Sequence, residues 1–213
     1  RNLDMNNNDQ DSPTDNFVDR APFLPVIKAL IDAGANVNAR TRELPPARRW
    51  LYSLNDPSWV DFTGQTPFLR AAFSADTTTM RLLVEHGADP NLPTLAGTTP
   101  LMAAAGVGWV VAQTYTESIP ARLDAVKLCL ELGADVNATN SMGLTALLGA
   151  VNRGSNDIIE VLVARHARLD IKDKEGRTPI RWAEGVFLAA VGAERKPETI
   201  ALLERLTAQS PPK

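Results

Sequence analysis

The sequence predicts an all-α protein, a helical solenoid of stacked repeats, from two motif series and a set of helix-start signals. The first series is Gly-x-Thr-Pro followed by an apolar residue, with Gly-Leu-Thr-Ala-Leu as a variant. Its threonines are Thr66, Thr99, Thr145 and Thr178, which are separated by 33, 46 and 33 residues. Self-similarity at a fixed period indicates a repeat array, in which neighbouring units share one continuous core.

The second series gives the same period out of phase with the first. Gly-Ala-Asn or Gly-Ala-Asp begins at Gly34, Gly87 and Gly133, and His166-Ala-Arg takes the fourth place. The intervals of 53, 46 and 33 residues are one 33-residue period plus 20, 13 and no inserted residues. Both series therefore place a 13-residue insertion in the same repeat. These motifs resemble the ankyrin repeat, and the resemblance covers about residues 25–208.

The helix boundaries follow from local chemistry. A threonine hydroxyl can accept a hydrogen bond from a free N–H of the first turn, and a proline after it fits the first helical position. A glycine after the last turn can take the left-handed conformation that ends a helix. The helices predicted in this way cover residues 25–33, 67–73, 78–86, 100–105, 121–132, 146–152, 157–165, 179–185 and 197–208. We expect Leu83, Leu101, Leu128 and Leu162 to lie in the core.

The resemblance implies about four and a half repeats with insertions. Residues 1–39 form a partial N-terminal repeat with an Asn/Asp-rich insert, and residues 40–60 form a finger insertion. Full repeats follow at 61–93, 94–139 and 140–172, and residues 173–213 form a C-terminal repeat with a capping helix. Inserts at 107–120 and 186–196 separate the two helices of their repeats. Because only the second helix of the first repeat is clear, we expect the chain to be part of a longer array or to begin after a cleavage.

Composition excludes several classes of function. The net charge of −3 offers no basic footprint for nucleic acid, and no apolar run is long enough to cross a membrane. The single cysteine, Cys129, lies in an aliphatic helix and is expected to be a buried apolar residue. Phosphate-binding loops, paired metal-binding motifs and catalytic signatures are all lacking. The sequence therefore predicts a protein that is not an enzyme and that holds no cofactor and no metal.

By resemblance, partner proteins contact the finger tips and the exposed side of the first helix of each repeat, on a concave face. Aromatic residues concentrate in the insertions and are favoured anchors at interfaces. The predicted partner-binding residues are Arg48, Arg49, Tyr52, Phe62, Thr63, Gln65, Phe73, Leu95, Thr98, Trp109, Tyr115, Met142, Leu144, Asn152, Lys174 and Arg177. Leu95, Met142 and Leu144 are apolar where finger tips are normally polar, which favours a contact with a partner or with residues 41–60.

Three functions stay open at this point. The first is a non-catalytic module that binds another protein, of unknown identity, through its concave face, finger tips and aromatic insertions. The second is binding of a small ligand or carbohydrate in an aromatic cleft formed by residues 41–60, with Trp50, Tyr52 and Trp59 as stacking platforms. The third is an accessory domain of a larger enzyme. The aromatic residues of the insertions have a structural alternative, since they would also serve to cover apolar helix faces.

Overall fold

The structure, a computed structural model, describes residues 23–43, 60–109, 118–186 and 194–209. These ranges contain helices and turns and no β-strand. The helices are α1 (Leu24–Asp32), α2 (Pro67–Phe73), α3 (Thr77–Glu85), α4 (Pro100–Ala105), α5 (Ile119–Glu131), α6 (Ala146–Arg153), α7 (Asn156–Ala164), α8 (Pro179–Ala183) and α9 (Pro197–Gln209). The Asn/Asp-rich insert and most of the predicted finger insertion lie outside the described residues, as do residues 110–117 and 187–193.

The helices from α2 onward pack in two rows. Helices α2, α4, α6 and α8 stack on one another as the first row, and α3, α5, α7 and α9 stack as the second row. Each first-row helix also packs on the second-row helix that follows it in the chain. The predicted all-α solenoid of stacked helix pairs is therefore confirmed.

Each threonine of the first motif series caps a helix. The Oγ1 atoms of Thr66, Thr99, Thr145 and Thr178 accept hydrogen bonds from the backbone N–H three residues later, at 3.2–3.3 Å. This contact satisfies one of the N–H groups that a first helical turn leaves without a partner. Proline follows three of these threonines at a position where its missing N–H has no consequence.

Helices α3, α5 and α7 end one residue earlier than predicted, whereas α9 ends one residue later, at Gln209. The N–H of His86 bonds to the carbonyl of Leu83, three residues back instead of four, so the last turn tightens before the predicted end. Gly87 and Gly133 then adopt left-handed conformations with φ of 86° and 84°, as expected. His166 takes the same conformation with φ of 67°.

Two other boundaries also differ from the sequence prediction. Helix α5 begins at Ile119, two residues early, because the Ser118 hydroxyl caps it by accepting the N–H of Ala121 at 3.3 Å. Helix α8 stops at Ala183, because Gly185 turns into a left-handed conformation with φ of 105°. Both signals, a serine cap and a glycine stop, are present in the sequence.

The core is a single cluster that runs through all the stacked repeats. The four leucines expected there, Leu83, Leu101, Leu128 and Leu162, are at most 3% exposed, so this prediction is confirmed. Helix α6 approaches the turn after α4 so closely that a Cβ atom on Gly149 would lie 2.7 Å from the backbone nitrogen of Val107. A residue without a side chain is therefore required at position 149 by this close contact.

Asparagine side chains bridge some of the junctions between repeats. Asn38 donates to the Gly87 carbonyl (3.1 Å) and accepts the N–H of Asp89 (2.8 Å). Asn137 makes the same pair of bonds to the equivalent turn after α7. Among the described residues Asn91, the equivalent residue between these two, bonds through its N–H to Asp89 and makes no side-chain bridge to the turn after α5. The junction between the second and third repeats therefore lacks this bridge.

Candidate protein-binding surface

The turns that precede the first-row helices project as fingers, which comprise residues 61–65, 94–98, 140–144 and 173–177. Backbone hydrogen bonds join successive fingers: Leu95 N to Thr63 O (2.9 Å), Ser141 N to Ala96 O (2.7 Å) and Lys174 N to Met142 O (3.0 Å). At the first finger, the backbone of Thr41 donates to Gln65 O (3.1 Å) and accepts from Gly64 N (3.1 Å). The finger tips thus form one hydrogen-bonded row, which we call the finger ladder.

In each finger, a polar side chain accepts a backbone N–H of the same finger. Asn140 Oδ1 accepts the N–H groups of Met142 (2.9 Å) and Leu144 (3.0 Å). Its Nδ2 donates to Thr98 Oγ1 of the preceding finger at 3.1 Å. The finger ladder is therefore fixed by side chains as well as by the backbone, and its exposed residues keep constant positions relative to one another.

Four predicted contact residues are buried, which corrects the expectation that they face a partner. Phe62 and Gln65 are 5% and 4% exposed, and Thr98 and Leu144 have no exposed surface. Thr98 is buried because its hydroxyl accepts the bond from Asn140, and Leu144 because it packs in the core. Their spacing marked them as finger residues, but spacing alone does not tell which side chains of a finger point inward.

The other described residues of that prediction keep exposed surface. Leu95 is 72% exposed, and Lys174 is also exposed. The half-buried members are Thr63, Phe73, Trp109, Met142, Asn152 and Arg177. Arg48, Arg49, Tyr52 and Tyr115 lie outside the described residues, as do Trp50 and Trp59 of the proposed aromatic cleft. Partner binding by these residues, and ligand binding in the aromatic cleft, stay predictions.

An aromatic cluster lies beside the first two fingers. The rings of Phe62 and Phe73 meet edge to face with centroids 5.1 Å apart, and the Arg70 guanidinium lies 5.7 Å from the Phe73 centroid. Gly108 makes room for this cluster, since a Cβ atom there would lie 2.4 Å from the Phe62 ring. Burial lowers the pKa of the Arg70 guanidinium. The sequence prediction missed Arg70, although its position three residues before Phe73 on a helix places both on one face.

A second contact between a cation and an aromatic ring involves Trp109. The Arg153 guanidinium lies 4.6 Å from the Trp109 ring centroid, and Arg153 is nine-tenths buried. Such a contact favours a fixed orientation for both side chains. The half-buried Trp109 surface is therefore held in place from the neighbouring repeat.

In the last finger, Asp173 organises a network that also engages Arg177. Its Oδ2 atom accepts from Arg177 Nε (2.6 Å) and from Trp182 Nε1 (2.9 Å), and Oδ1 accepts two backbone N–H groups. Arg177 also pairs with Glu175 at 2.7 Å and lies over the Trp182 ring at 4.9 Å. Burial alone would raise the pKa of Asp173, but the hydrogen bonds from Arg177 and Trp182 outweigh it and hold this pKa below its usual value. Much of the Arg177 guanidinium is thus already bound by side chains of its own finger and helix.

Arg40 belongs to the surface although the sequence prediction did not include it. Its Nη1 atom donates to the carbonyls of Gly64 (3.1 Å) and Pro93, so it links the loop after α1 to the first and second fingers. Leu95 packs on the same glycine, since a Cβ atom on Gly64 would lie 2.7 Å from Leu95 Cγ. A lone arginine in a loop gives no sequence signal for such a role.

The described residues offer little for chemistry. They contain no group of three or more His, Cys, Asp and Glu side chains arranged to hold a metal ion. The Cys129 side chain is buried, and this burial raises the pKa of its thiol to about 12. Within the same ranges, the longest apolar stretches of helix fall short of what a membrane crossing needs.

Comparisons with known proteins agree on the repeat. A family model described as ankyrin repeats in three copies matches residues 118–186, and a single ankyrin repeat model matches residues 63–95. The second match begins within the first finger and ends in the second, which is one full period.

Similar curated proteins also contain this repeat. The human ankyrin repeat domain-containing protein 63 is 37% identical over 95 residues, which are 45% of this chain and 23% of that protein. The human ankyrin repeat and KH domain-containing protein 1 is 30% identical over 122 residues, 56% of this chain and 4% of that protein. The ankyrin repeat and KH domain-containing protein mask of Drosophila melanogaster is 28% identical over 123 residues, 57% and 3% respectively.

This chain spans less than a quarter of the length of each of these relatives. Both the matched models and the named relatives share the repeat whose capped helices, left-handed turns and joined fingers are described above. Residues 63–95 and 118–186 of this chain are ankyrin repeats.

Proposed function

We propose that this chain is a non-catalytic module that binds another protein through its finger ladder and the neighbouring exposed side chains of the first helix row. Ankyrin repeats generally mediate protein–protein interaction. The observation that carries the proposal for this chain is the finger ladder itself, which holds Leu95 72% exposed at its tip. A surface that is ordered before binding loses little conformational entropy when a partner docks.

The proposed contact residues are those that keep exposed surface next to the ladder. They are Thr63, Phe73, Leu95, Trp109, Met142, Asn152, Lys174 and Arg177. Arg48, Arg49, Tyr52 and Tyr115 remain part of the proposal as a basic and aromatic extension of this surface. Guanidinium groups there would pair with carboxylates of the partner, and the rings would pack on apolar side chains.

Site-directed cross-linking tests the location of this surface. Cys129 is the single cysteine and is buried, so a cysteine introduced at the surface is labelled selectively by a benzophenone maleimide. We would label Ser141→Cys in the third finger and, as the matched control, Glu131→Cys at the exposed end of α5. After illumination with a partner recovered by affinity capture, we expect cross-links from position 141 and few from position 131.

The unsubstituted chain, treated with the same reagent, measures the background labelling of Cys129. Equal yields at the two positions, or cross-links from position 131 alone, would contradict binding through the finger ladder. The assay needs no activity of the chain and applies to any protein partner.

A further inference from the structure

Two exposed side chains of different chemistry meet at Gly64 in the first finger. The Arg40 guanidinium donates to the Gly64 carbonyl at 3.1 Å, and the Leu95 side chain packs over the Gly64 Cα, where a Cβ atom would lie 2.7 Å from Leu95 Cγ. Gly64 has a φ of 81°, a conformation that glycine adopts without strain. The cation of Arg40 and the apolar side chain of Leu95 therefore lie side by side on the finger ladder, because both contact Gly64.

The Arg40 guanidinium is held in one orientation, and within the described ranges its second edge has no hydrogen-bond partner. Both hydrogens of Nη1 are used by the carbonyls of Gly64 and Pro93, which fixes the plane of the group. Among the described residues its partners are these two carbonyls, and none of them is a carboxylate. The edge formed by Nε and Nη2 is the edge that accepts a carboxylate through two parallel hydrogen bonds. Arg40 is thus oriented for a carboxylate that the described part of the chain does not supply.

Leu95 adds an apolar contact beside this edge. A single exposed leucine is ordinary on protein surfaces and by itself indicates nothing. Leu95 differs because its backbone is fixed by the bond from its N–H to Thr63 O (2.9 Å), while its side chain stays 72% exposed. Since both groups touch Gly64, a ligand that uses both must offer its carboxylate and its apolar side chain close together.

We propose that Arg40 and Leu95 together recognise an extended segment of a partner protein in which an Asp or Glu lies within two positions of a large apolar residue. This inference rests on the proposed function and specifies the chemistry of the partner. In an extended chain, side chains on one face are two residues apart, with a rise of about 3.3 Å per residue, so an acidic residue and an apolar residue two positions apart can reach both groups. The net charge of −3 disfavours a nucleic-acid phosphate as the ligand.

A peptide array tests the proposal with defined probes. The array would carry degenerate peptides with a fixed pair of residues: Asp or Glu with Leu or Phe, Asn or Gln with Leu or Phe, Lys or Arg with Leu or Phe, and Asp or Glu with Ser. We expect the intact chain to bind the acidic–apolar class at least about ten-fold more tightly than each of the other classes, which corresponds to about 1.4 kcal/mol.

Variants assign this preference to the two side chains. Arg40→Lys keeps the charge but removes the planar fork, and Arg40→Gln removes both, so each should reduce the preference for Asp or Glu over Asn or Gln to about two-fold or less. Leu95→Ser should abolish the preference for Leu or Phe over Ser. Arg81→Gln, on an exposed position of α3, is the matched control and should bind like the unsubstituted chain.

Thermal unfolding of each variant reports whether the fold is kept. If Arg40→Gln unfolds, Arg40→Lys and Leu95→Ser still decide the outcome. Equal binding of all peptide classes, binding to none of them, or an unchanged preference in the Arg40 and Leu95 variants would overturn the inference. In these cases, partner cross-links from position 141 would show that the proposed function still stands, and their loss would show that it fails too.

Discussion

At the residue scale, this chain departs from its own repeat pattern at a few positions with unusual backbone geometry. His166 and Ala75 have positive φ angles of 67° and 50°, where the equivalent residues of other repeats are glycines. A left-handed conformation costs a non-glycine residue roughly 1–2 kcal/mol. The repeat therefore retains this geometry even where the residue best suited to it has been replaced.

Replacing His166 by glycine should stabilise the protein. The exposed His166 ends the turn after α7, so its replacement removes backbone strain and leaves the packing unchanged. The greater freedom of glycine in the unfolded chain offsets part of this gain. We expect an increase of about 0.5–1 kcal/mol in the free energy of unfolding, measured by urea denaturation. A decrease would mean that the His166 side chain stabilises the turn.

Asp173 should make stability depend on pH in the acid range. Its pKa is lowered in the folded state, so its contribution is complete above the unfolded pKa of about 3.9 and is lost as the pH falls through the folded value. Asp173→Asn should lower the free energy of unfolding by about 1.5–3 kcal/mol at pH 7, because it weakens the hydrogen bonds to Arg177 and Trp182. The difference from the unsubstituted chain should shrink below about pH 4, as followed by urea unfolding between pH 3 and 7.

Glu175→Gln provides the comparison for this experiment. Glu175 also pairs with Arg177, but its side chain is 66% exposed. Exposed pairs contribute little, so this variant should change stability by less than about 1 kcal/mol at any pH in the series. A gap between Asp173→Asn and the unsubstituted chain that stays constant down to pH 3 would contradict the assignment.

At the element scale, the sequence predicted the helices well because their boundary signals are local. Threonine caps and terminal glycines act within a few residues, so Thr66 and Gly87 could be assigned without knowledge of packing. Burial within the fingers is different, because it depends on residues far away in the chain. Phe62 is buried partly because Gly108 leaves space for its ring, and nothing near Phe62 in the sequence indicates that.

The close approach of α6 to the turn after α4 yields a prediction that opposes helix propensity. Helix propensity alone should raise the free energy of unfolding of Gly149→Ala by up to about 1 kcal/mol. The added Cβ atom would lie 2.7 Å from the Val107 backbone nitrogen, so α6 and the turn after α4 must move apart. We expect a net loss of about 1–3 kcal/mol in the free energy of unfolding.

Asn152→Ala on the same helix is the control, measured in the same denaturant series. Asn152 is half-buried, and its replacement should change stability by less than about 1 kcal/mol. If Gly149→Ala is as stable as Asn152→Ala, the close approach of α6 to the turn after α4 does not limit the residue at position 149.

At the scale of the whole molecule, the junctions between repeats are not equivalent. The finger ladder joins every pair of successive described repeats, but the asparagine bridge is missing between the second and third. The Asp135 N–H therefore lacks the side-chain acceptor that Asp89 and Arg168 have. In a repeat protein, stability depends on such contacts between neighbours, so we expect this junction to lack, at the ends of α3 and α5, the stabilisation that the Asn38 and Asn137 bridges give to their junctions.

Hydrogen exchange of single amides tests this difference. The Asp135 amide should exchange at least about ten-fold faster than those of Asp89 and Arg168, after correction for intrinsic rates. Asn38→Ala should bring the Asp89 amide to the rate of Asp135, because it removes the acceptor that protects it. Equal exchange of the three amides in the unsubstituted chain would contradict a weaker junction.

The missing bridge also bears on how the array bends. A solenoid changes its curvature by small rotations between neighbouring repeats, and the rotation is easiest where the fewest contacts oppose it. At the second junction the finger tips stay joined through Leu95 and Thr63, while the ends of α3 and α5 lack the asparagine link. We therefore expect this joint to bend more easily, about an axis along the finger tips, than the joints that Asn38 and Asn137 bridge. We expect a partner with a differently curved surface to be accommodated by bending at this joint, close to the Gly64 contact.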